Sequence, residues 1–459
     1  MNNKRLRTAR LGMAGAALAA AFGGLLSLGA AAVVASSPAG AVVTPTAPGS
    51  LYIPLASPSR IADTRAASTL LPDHGMTLHA QGTVVVNLPG VPTDANAVVL
   101  NVTEVNATAP SFFTVYPTGD TSSNFSNLNF VPGPALPNLV VVPITSGGSV
   151  SIYNWAGTAD AIVDLEGYYE TPSGTNLPLV TASPGQFFPI TPVRVTDTRT
   201  GSAEPNAGQT LGANTTLPVT VTGAGGTGGV PTTATNVSAV ELNVTVTNTT
   251  GASYLTVFPG GTTQPVASNL NWNTGTVIAN RVIVPVSSAG IVDIYNYFGN
   301  ADVVVDVDGW YSGGTGNTVT GGSAYVPIAP LRITDTRSTS VPAEPNAGKT
   351  LITNSAVQVQ VAGVDSIPST ITGAVLNVTE AASSGGGFLT VFPGTLAYTP
   401  PKASDLNFVP GEVIANADEV GVGTAGTATG SVDVYNWSGN TDVVVDLFGY
   451  FVPAVAAAT

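Results

Sequence analysis

The chain has no cysteine, two histidines, and few cations of any kind. Without cysteine there is neither a disulfide framework nor a thiolate zinc site, so stability has to come from apolar packing. His74 and His79 stand close together, so no Ser-His-Asp or histidine-metal constellation recurs along the sequence. Lysine and arginine number 13 against 27 acids, for a formal charge of −14. Such a balance argues against nucleic acid and anionic lipid, both of which select basic patches. It suits solubility or cation binding. Helical periodicity with caps is missing outside the N-terminus.

That terminus is distinctive. Lys4, Arg5, Arg7 and Arg10 precede an uncharged Ala/Gly/Leu stretch over 11–34, and Ala39-Gly40-Ala41 supplies small residues after it. The three-part pattern predicts a secretory signal peptide over 1–41, with a retained anchor as the competing reading. Cleavage leaves nine cations against 27 acids over 418 residues, too many residues for one ordinary core. No second apolar run is long enough to span a membrane, and no hydrophobic span with a basic tail closes the chain as a wall-sorting signal.

What fills those residues is repetition. Arg60-Ile-Ala-Asp63-Thr64-Arg65 returns as Arg194-Val-Thr-Asp197-Thr198-Arg199 and as Arg332-Ile-Thr-Asp335-Thr336-Arg337, at intervals of 134 and 138 residues. Each copy then carries Leu-Asn-Val-Thr (Asn101, Asn243, Asn377), a Thr-Val-aromatic-Pro strand, and a Ser-Asn/Asp-Leu-Asn segment (Asn127 and Asn129, Asn269 and Asn271, Asp405 and Asn407). A Tyr-Asn pair follows (Asn154, Asn296, Asn436), and a Val-Asp-X-X-Gly-aromatic-aromatic close surrounds Asp164, Asp306 and Asp446. Short β-branched runs such as Ala97-Val-Val-Leu-Asn-Val-Thr, bounded by Gly, Pro and Asn, read as strands. About eight strands per copy predict three tandem antiparallel β-sandwiches over 51–170, 185–312 and 323–452, joined by Gly/Ser/Thr/Pro-rich linkers at 171–185 and 312–323. A β-propeller with two blades per copy is the rival architecture. The complete motif set in each copy predicts self-contained modules.

Six of the nine remaining cations are the paired motif arginines. A carboxylate or sugar-acid clamp is one reading. Structural ion pairs are the favoured one: Arg60 or Arg65 with Asp164, Arg194 or Arg199 with Asp306, and Arg332 or Arg337 with Asp446, because an acid between aliphatic residues on a closing strand needs a hydrogen-bonded cation. Asp160, Asp302 and Asp442 lie four residues before those acids, on the same strand face. Calcium beside Asn154, Asn296 or Asn436 is weighed against turn-capping, and capping is preferred because no Asp-X-Asp-X-Asp-Gly loop is present. No metal and no cofactor is expected. Asn127, Asn129, Asn269, Asn271 and Asn407 with Trp272 form the candidate binding set, since amides match paired sugar hydroxyls and an indole stacks on a pyranose; Trp155, Trp310 and Trp437 are further candidate platforms.

The ordered motif set resembles a repeat of secreted proteins of actinomycete-type bacteria, with a Pro-X-Arg-X-X-Asp-Thr-Arg opening, a Ser-Asn-Leu-Asn middle and a Val-Val-Asp-Val-X-Gly-Tyr-Phe close. The resemblance covers nearly all of the chain after the signal peptide. It implies extracellular accessory domains, alone in tandem or beside secreted hydrolases. Two departures stand in the third copy: Asp405 replaces the usual Asn, and Asp418-Glu419 replace Val282-Ile283, which predicts loss of a strand within 417–430. The functional expectation is a secreted or envelope-associated, non-catalytic binding or structural array with weak, multivalent affinity for extracellular polysaccharide or cell-wall glycan. A secreted carboxylate-dependent glycan hydrolase and a purely structural stalk are the alternatives.

Overall fold

The computed structural model describes residues 49–453 apart from 69, 70, 72, 122–124, 145–147, 172–183, 315–318, 341–343 and 398. The expected signal peptide, most of the first expected linker and residues 315–318 of the second lie outside the described residues. Repeat one contains β1 (Leu51–Asp63), β2 (Gly82–Asn87), β3 (Ala95–Val105), β4 (Ser111–Pro117), β5 (Leu128–Phe130), β6 (Leu136–Pro143), β7 (Ser149–Asn154) and β8 (Asp160–Glu170). Repeat two follows with β9 (Phe187–Asp197), β10 (Thr215–Thr220), β11 (Val237–Thr247), β12 (Ser253–Pro259), β13 (Leu270–Trp272), β14 (Ile278–Pro285), β15 (Ile291–Asn296) and β16 (Asp302–Ser312). Repeat three has β17 (Ser323–Asp335), β18 (Ser355–Gln360), β19 (Gly373–Ala381), β20 (Gly387–Pro393), β21 (Leu406–Phe408), β22 (Val413–Gly421), β23 (Ser431–Asn436) and β24 (Asp442–Pro453).

In each repeat successive strands alternate between two antiparallel sheets, except that the fourth and fifth pair with each other, in the orders β1-β8-β3-β6 and β2-β7-β4-β5 for repeat one. This is the strand order of a jelly roll, a β-sandwich. It excludes the propeller, whose blades pair consecutive strands within one sheet. The third copy keeps its strand: β22 pairs with β19 from Val413 to Gly421, with Asp418 and Glu419 inside it, so the expected loss does not occur.

The two sheets differ in what covers them. Strands β2 and β10 alternate buried and exposed residues, as a sheet with one wet face must. Strand β3 is buried almost throughout. Val98, Leu100 and Val102 pack into the sandwich of repeat one, while Ala97, Val99 and Leu139 join a second core shared by all three repeats. The sandwiches are therefore not separate beads. Their inner sheets face one another around a common axis.

The ring is closed by backbone and by aromatic stacking. Ser50 pairs with Tyr325, Ser323 pairs with Phe187, and the Tyr52 N–H donates to the Gly185 carbonyl at 3.0 Å, so equivalent positions link each repeat to another. Ring contacts follow the same cycle: Tyr52 to Tyr311 at 4.6 Å, Phe187 to Phe451 at 4.4 Å and Tyr325 to Tyr169 at 4.3 Å. The glycine of the closing motif makes room for them. A Cβ on Gly309 would sit 2.4 Å from the Phe187 ring, and one on Gly449 would sit 2.3 Å from Tyr325.

One local defect breaks the three-fold pattern. Asn106 and Asn248 adopt left-handed backbone (φ 60° and 53°) and each donates to the acid opening the closing strand, Asp160 or Asp302, at 2.8 Å. Repeat three has exposed Ala382 at that position, with φ 62°. Asparagine tolerates this conformation better than alanine and would add a bond to Asp442. Ala382→Asn should therefore stabilise the protein by about 1 kcal/mol, read as a higher melting temperature. An unchanged or lower one would contradict the capping role.

Candidate functional site

The first arginine of each motif meets the closing-strand acid in a two-pronged bond. Arg60 Nε and Nη2 donate to Asp164 at 2.9 and 3.1 Å, Arg194 to Asp306 at 2.9 and 2.9 Å, and Arg332 to Asp446 at 2.9 and 3.1 Å. Strand register explains it, since Arg60, Arg194 and Arg332 lie directly across from those acids. Burial holds the carboxyls of Asp164, Asp306 and Asp446 above their usual range, and the guanidinium offsets only part of that rise. The second arginine, by contrast, folds onto the acid two residues before it. Arg65 holds Asp63, Arg199 holds Asp197, and Arg337 holds Asp335. Asp160 and Asp302 are taken up by hydroxyl and amide donors, Thr64, Thr77 and Asn106 in repeat one and Thr198, Thr210 and Asn248 in repeat two. Among the described residues no cluster of three or more His, Cys, Asp or Glu side chains is placed to hold a metal ion.

The Ser-Asn-Leu-Asn segments do not face solvent as expected. Asn127 and Asn269 are buried, and their side-chain oxygens accept the N–H groups of Val115 and Val257 at 2.7 and 2.8 Å. Asn129 is buried and accepts from Ser126 at 2.9 Å. Trp272 lies in the sandwich core with its indole N–H on the Gly251 carbonyl at 3.0 Å, and Trp310 is buried against Phe188. The sugar contacts expected of Asn127, Asn129, Asn269 and Trp272 are thus not available at the surface. Asn271 and Asn407 are only half-buried.

These segments instead tie repeat to repeat. Asn101 donates to the Ser268 carbonyl at 2.9 Å, Asn243 to that of Ser404, and Asn377 to that of Ser126 at 2.8 Å. A second set, absent from the sequence reading, runs along the axis-facing sixth strands. Asn138 donates to Asn377, Asn280 to Asn101 and Asn416 to Asn243, at 3.1, 3.3 and 3.2 Å. Their oxygens accept from Ala417, Leu139 and Arg281 backbone N–H groups. Each asparagine amide both donates and accepts, so these amides form a closed polar ring inside an apolar interface.

One joint of this ring is charged. Arg281 of β14 is fully buried, with Nη2 on Asp405 and Asp418 of repeat three at 3.0 and 2.5 Å, Nη1 on Asp308, and Nε on the Ala417 carbonyl at 3.3 Å. Glu241 approaches at 3.4 Å. Glu419, the neighbour of Asp418, accepts the hydroxyls of Tyr169 and Tyr311. Burial drives the carboxyls of Asp308, Asp405 and Asp418 up to about 7, against the pull of Arg281.

At the surface, three equivalent aromatic pairs remain. Phe112 stacks on Trp155, Tyr254 on Tyr297 and Phe388 on Trp437, at 5.6, 4.9 and 5.5 Å with interplanar angles of 16°, 12° and 10°. Tyr297 and Trp437 are 50% and 52% exposed, as rings covered on one face and open on the other would be. Across from the inner rings in strand register lie Asn129, Asn271 and Asn407.

No family model and no curated protein matches the chain. Among solved structures it is similar to one described as "The Triple Jelly Roll Fold and Turret Assembly in an Archaeal Virus", at 9% identity over 88% of this chain and 91% of the other, with a TM-score of 0.17. A structure of Sulfolobus Turreted Icosahedral Virus follows at 8% identity, 89% and 92% coverage and a TM-score of 0.15. An N-terminal tandem domain (CBM22-1-CBM22-2) from Paenibacillus barcinonensis Xyn10C covers 56% of this chain and 99% of its own, at 13% identity and a TM-score of 0.16. None of these scores carries an argument about function.

Proposed function

We propose that this is an exported, envelope-associated, non-catalytic protein whose three fused jelly rolls bind a polymeric glycan through the surface aromatic pairs. The stacked, half-open rings of Trp155, Tyr297 and Trp437 carry this reading, because such a ring presents a flat apolar face to the C–H face of a pyranose. Half-buried Asn271 and Asn407, opposite Tyr254 and Phe388, supply amides for sugar hydroxyls. Each platform alone is weak, in the roughly millimolar range, and three on one rigid body gain avidity for a polymer. The basic, apolar and small-residue pattern of 1–41 supports export. A hydrolase reading is weakened because the closing-strand acids are each engaged by a guanidinium.

Affinity electrophoresis against a panel of soluble polysaccharides and cell-wall glycans tests this. The native protein should be retarded on at least one glycan, and the Trp155→Ala, Tyr297→Ala, Trp437→Ala triple variant should not. Equal or absent retardation of both forms on every glycan would leave a purely structural role.

A further inference from the structure

The three joints around the axis are built from equivalent positions, and among the described residues only one carries a buried guanidinium. At the joint from repeat one to repeat two, Leu139 occupies the position of Arg281, and the positions of Asp405 and Asp418 are Asn269 and Val282. At the joint from repeat three to repeat one these positions are Ala417, Asn127 and Val140. The same asparagine bonds hold all three. Only the joint from repeat two to repeat three sets a fully buried guanidinium against two carboxylates of its neighbour, with Glu241 at the position of Val99 and Val375.

We infer that Asp405 and Asp418 make the axial face of repeat three a docking surface specific for repeat two, keyed by Arg281, so that the repeats close in one cyclic order. The energetics follow from what a wrong pairing leaves behind. Repeat three docked on a repeat-one face would bury its two acids against Leu139. Docked on a second repeat three, it would bury them against Ala417. In the same way, Arg281 set against the receiving face of repeat one or two would lose both cross-joint acids and keep only Asp308 and Glu241. Buried charges stripped of their partners cost far more than lost apolar contact, so mismatched rings are disfavoured even though their asparagine bonds could form. Fixing one joint of a three-membered ring also fixes the other two. The partner this surface fits is repeat two, and a ring assembled from like repeats of several chains is what it rejects.

Two variants of the full chain separate keyed pairing from simple stabilisation. Arg281→Leu strands the acids and should lower the melting temperature by roughly 5–10 °C. The quadruple variant Arg281→Leu, Glu241→Val, Asp405→Asn, Asp418→Val gives four positions of this joint the residues of the first one, keeping Asp308 where that joint has Glu166 and Glu419 where it has Ile283, and should recover at least half of that loss. After unfolding and refolding at raised concentration, light scattering should find native protein monomeric and the folded quadruple variant with a several-fold larger oligomer fraction. An unchanged melting temperature for Arg281→Leu, or a refolded quadruple variant as monomeric as native protein, overturns the inference. So does a quadruple variant no more stable than Arg281→Leu, since an apolar joint would then be no substitute.

Discussion

Asp306→Ala should destabilise the protein by about 3–5 kcal/mol, because it leaves Arg194 beside a closing strand with no cross-strand acid. Arg194 is 10% exposed, so water can replace little of what it loses, and Asp197 lies at 3.9 Å, too far for a full hydrogen bond. Asp164→Ala should cost somewhat less, since Arg60 is 22% exposed and can rehydrate. Removing both partners together, as Arg194→Leu with Asp306→Val, should restore most of the stability, since the cost arises from one charge outliving the other. Chemical denaturation of the single and double variants measures this. A single variant within about 1 kcal/mol of the native protein would mean that the pair contributes as a surface ion pair does.

Excising repeat two should have a larger effect still. Residues 185–312 contain a complete jelly-roll core, but their axial face holds Phe187, Ala239, Ile283 and Tyr311, all buried in the shared core. Released from the chain, that face becomes an exposed apolar patch. Arg281 keeps Asp308 and Glu241 but loses Asp405 and Asp418. The fragment should show β-type circular dichroism yet self-associate, and should melt more than 10 °C below the full chain, as a loss of several kcal/mol requires. A monodisperse fragment with the thermal stability of the intact protein would contradict the shared core.

Much of the fold was legible because one jelly roll is encoded locally. Strand runs, turn residues and the recurrence of Arg60, Arg194 and Arg332 with Asp164, Asp306 and Asp446 all lie within a single copy. What was hidden lies between copies. The run Ala97-Val-Val-Leu-Asn-Val-Thr is apolar on both faces of its strand, which indicates burial on both sides without naming the second cover. Asn127 and Asn269 read as sugar ligands because an amide's partners cannot be seen from composition. They are backbone partners and supports for the axial ring. Trp272 and Trp437 look alike in sequence, yet one follows Leu-Asn into the core and the other follows Tyr-Asn onto a turn. The charged joint did leave a trace. Arg281 is a lone cation in an aliphatic strand, at the position filled by Leu139 and Ala417. Asp405 and Asp418, which read as departures from the pattern, are its partners.

Small-angle X-ray scattering tests the central claim most directly, which is that the repeated motifs weld three jelly rolls into one closed body. A compact chain of this described length should have a radius of gyration of roughly 22 Å. Three sandwiches strung on linkers, with the same cores but no shared axis, should give roughly 30 Å or more. The closed arrangement predicts the smaller value, unchanged by salt because aromatic stacking and buried amides hold it. A value near the larger one would contradict it.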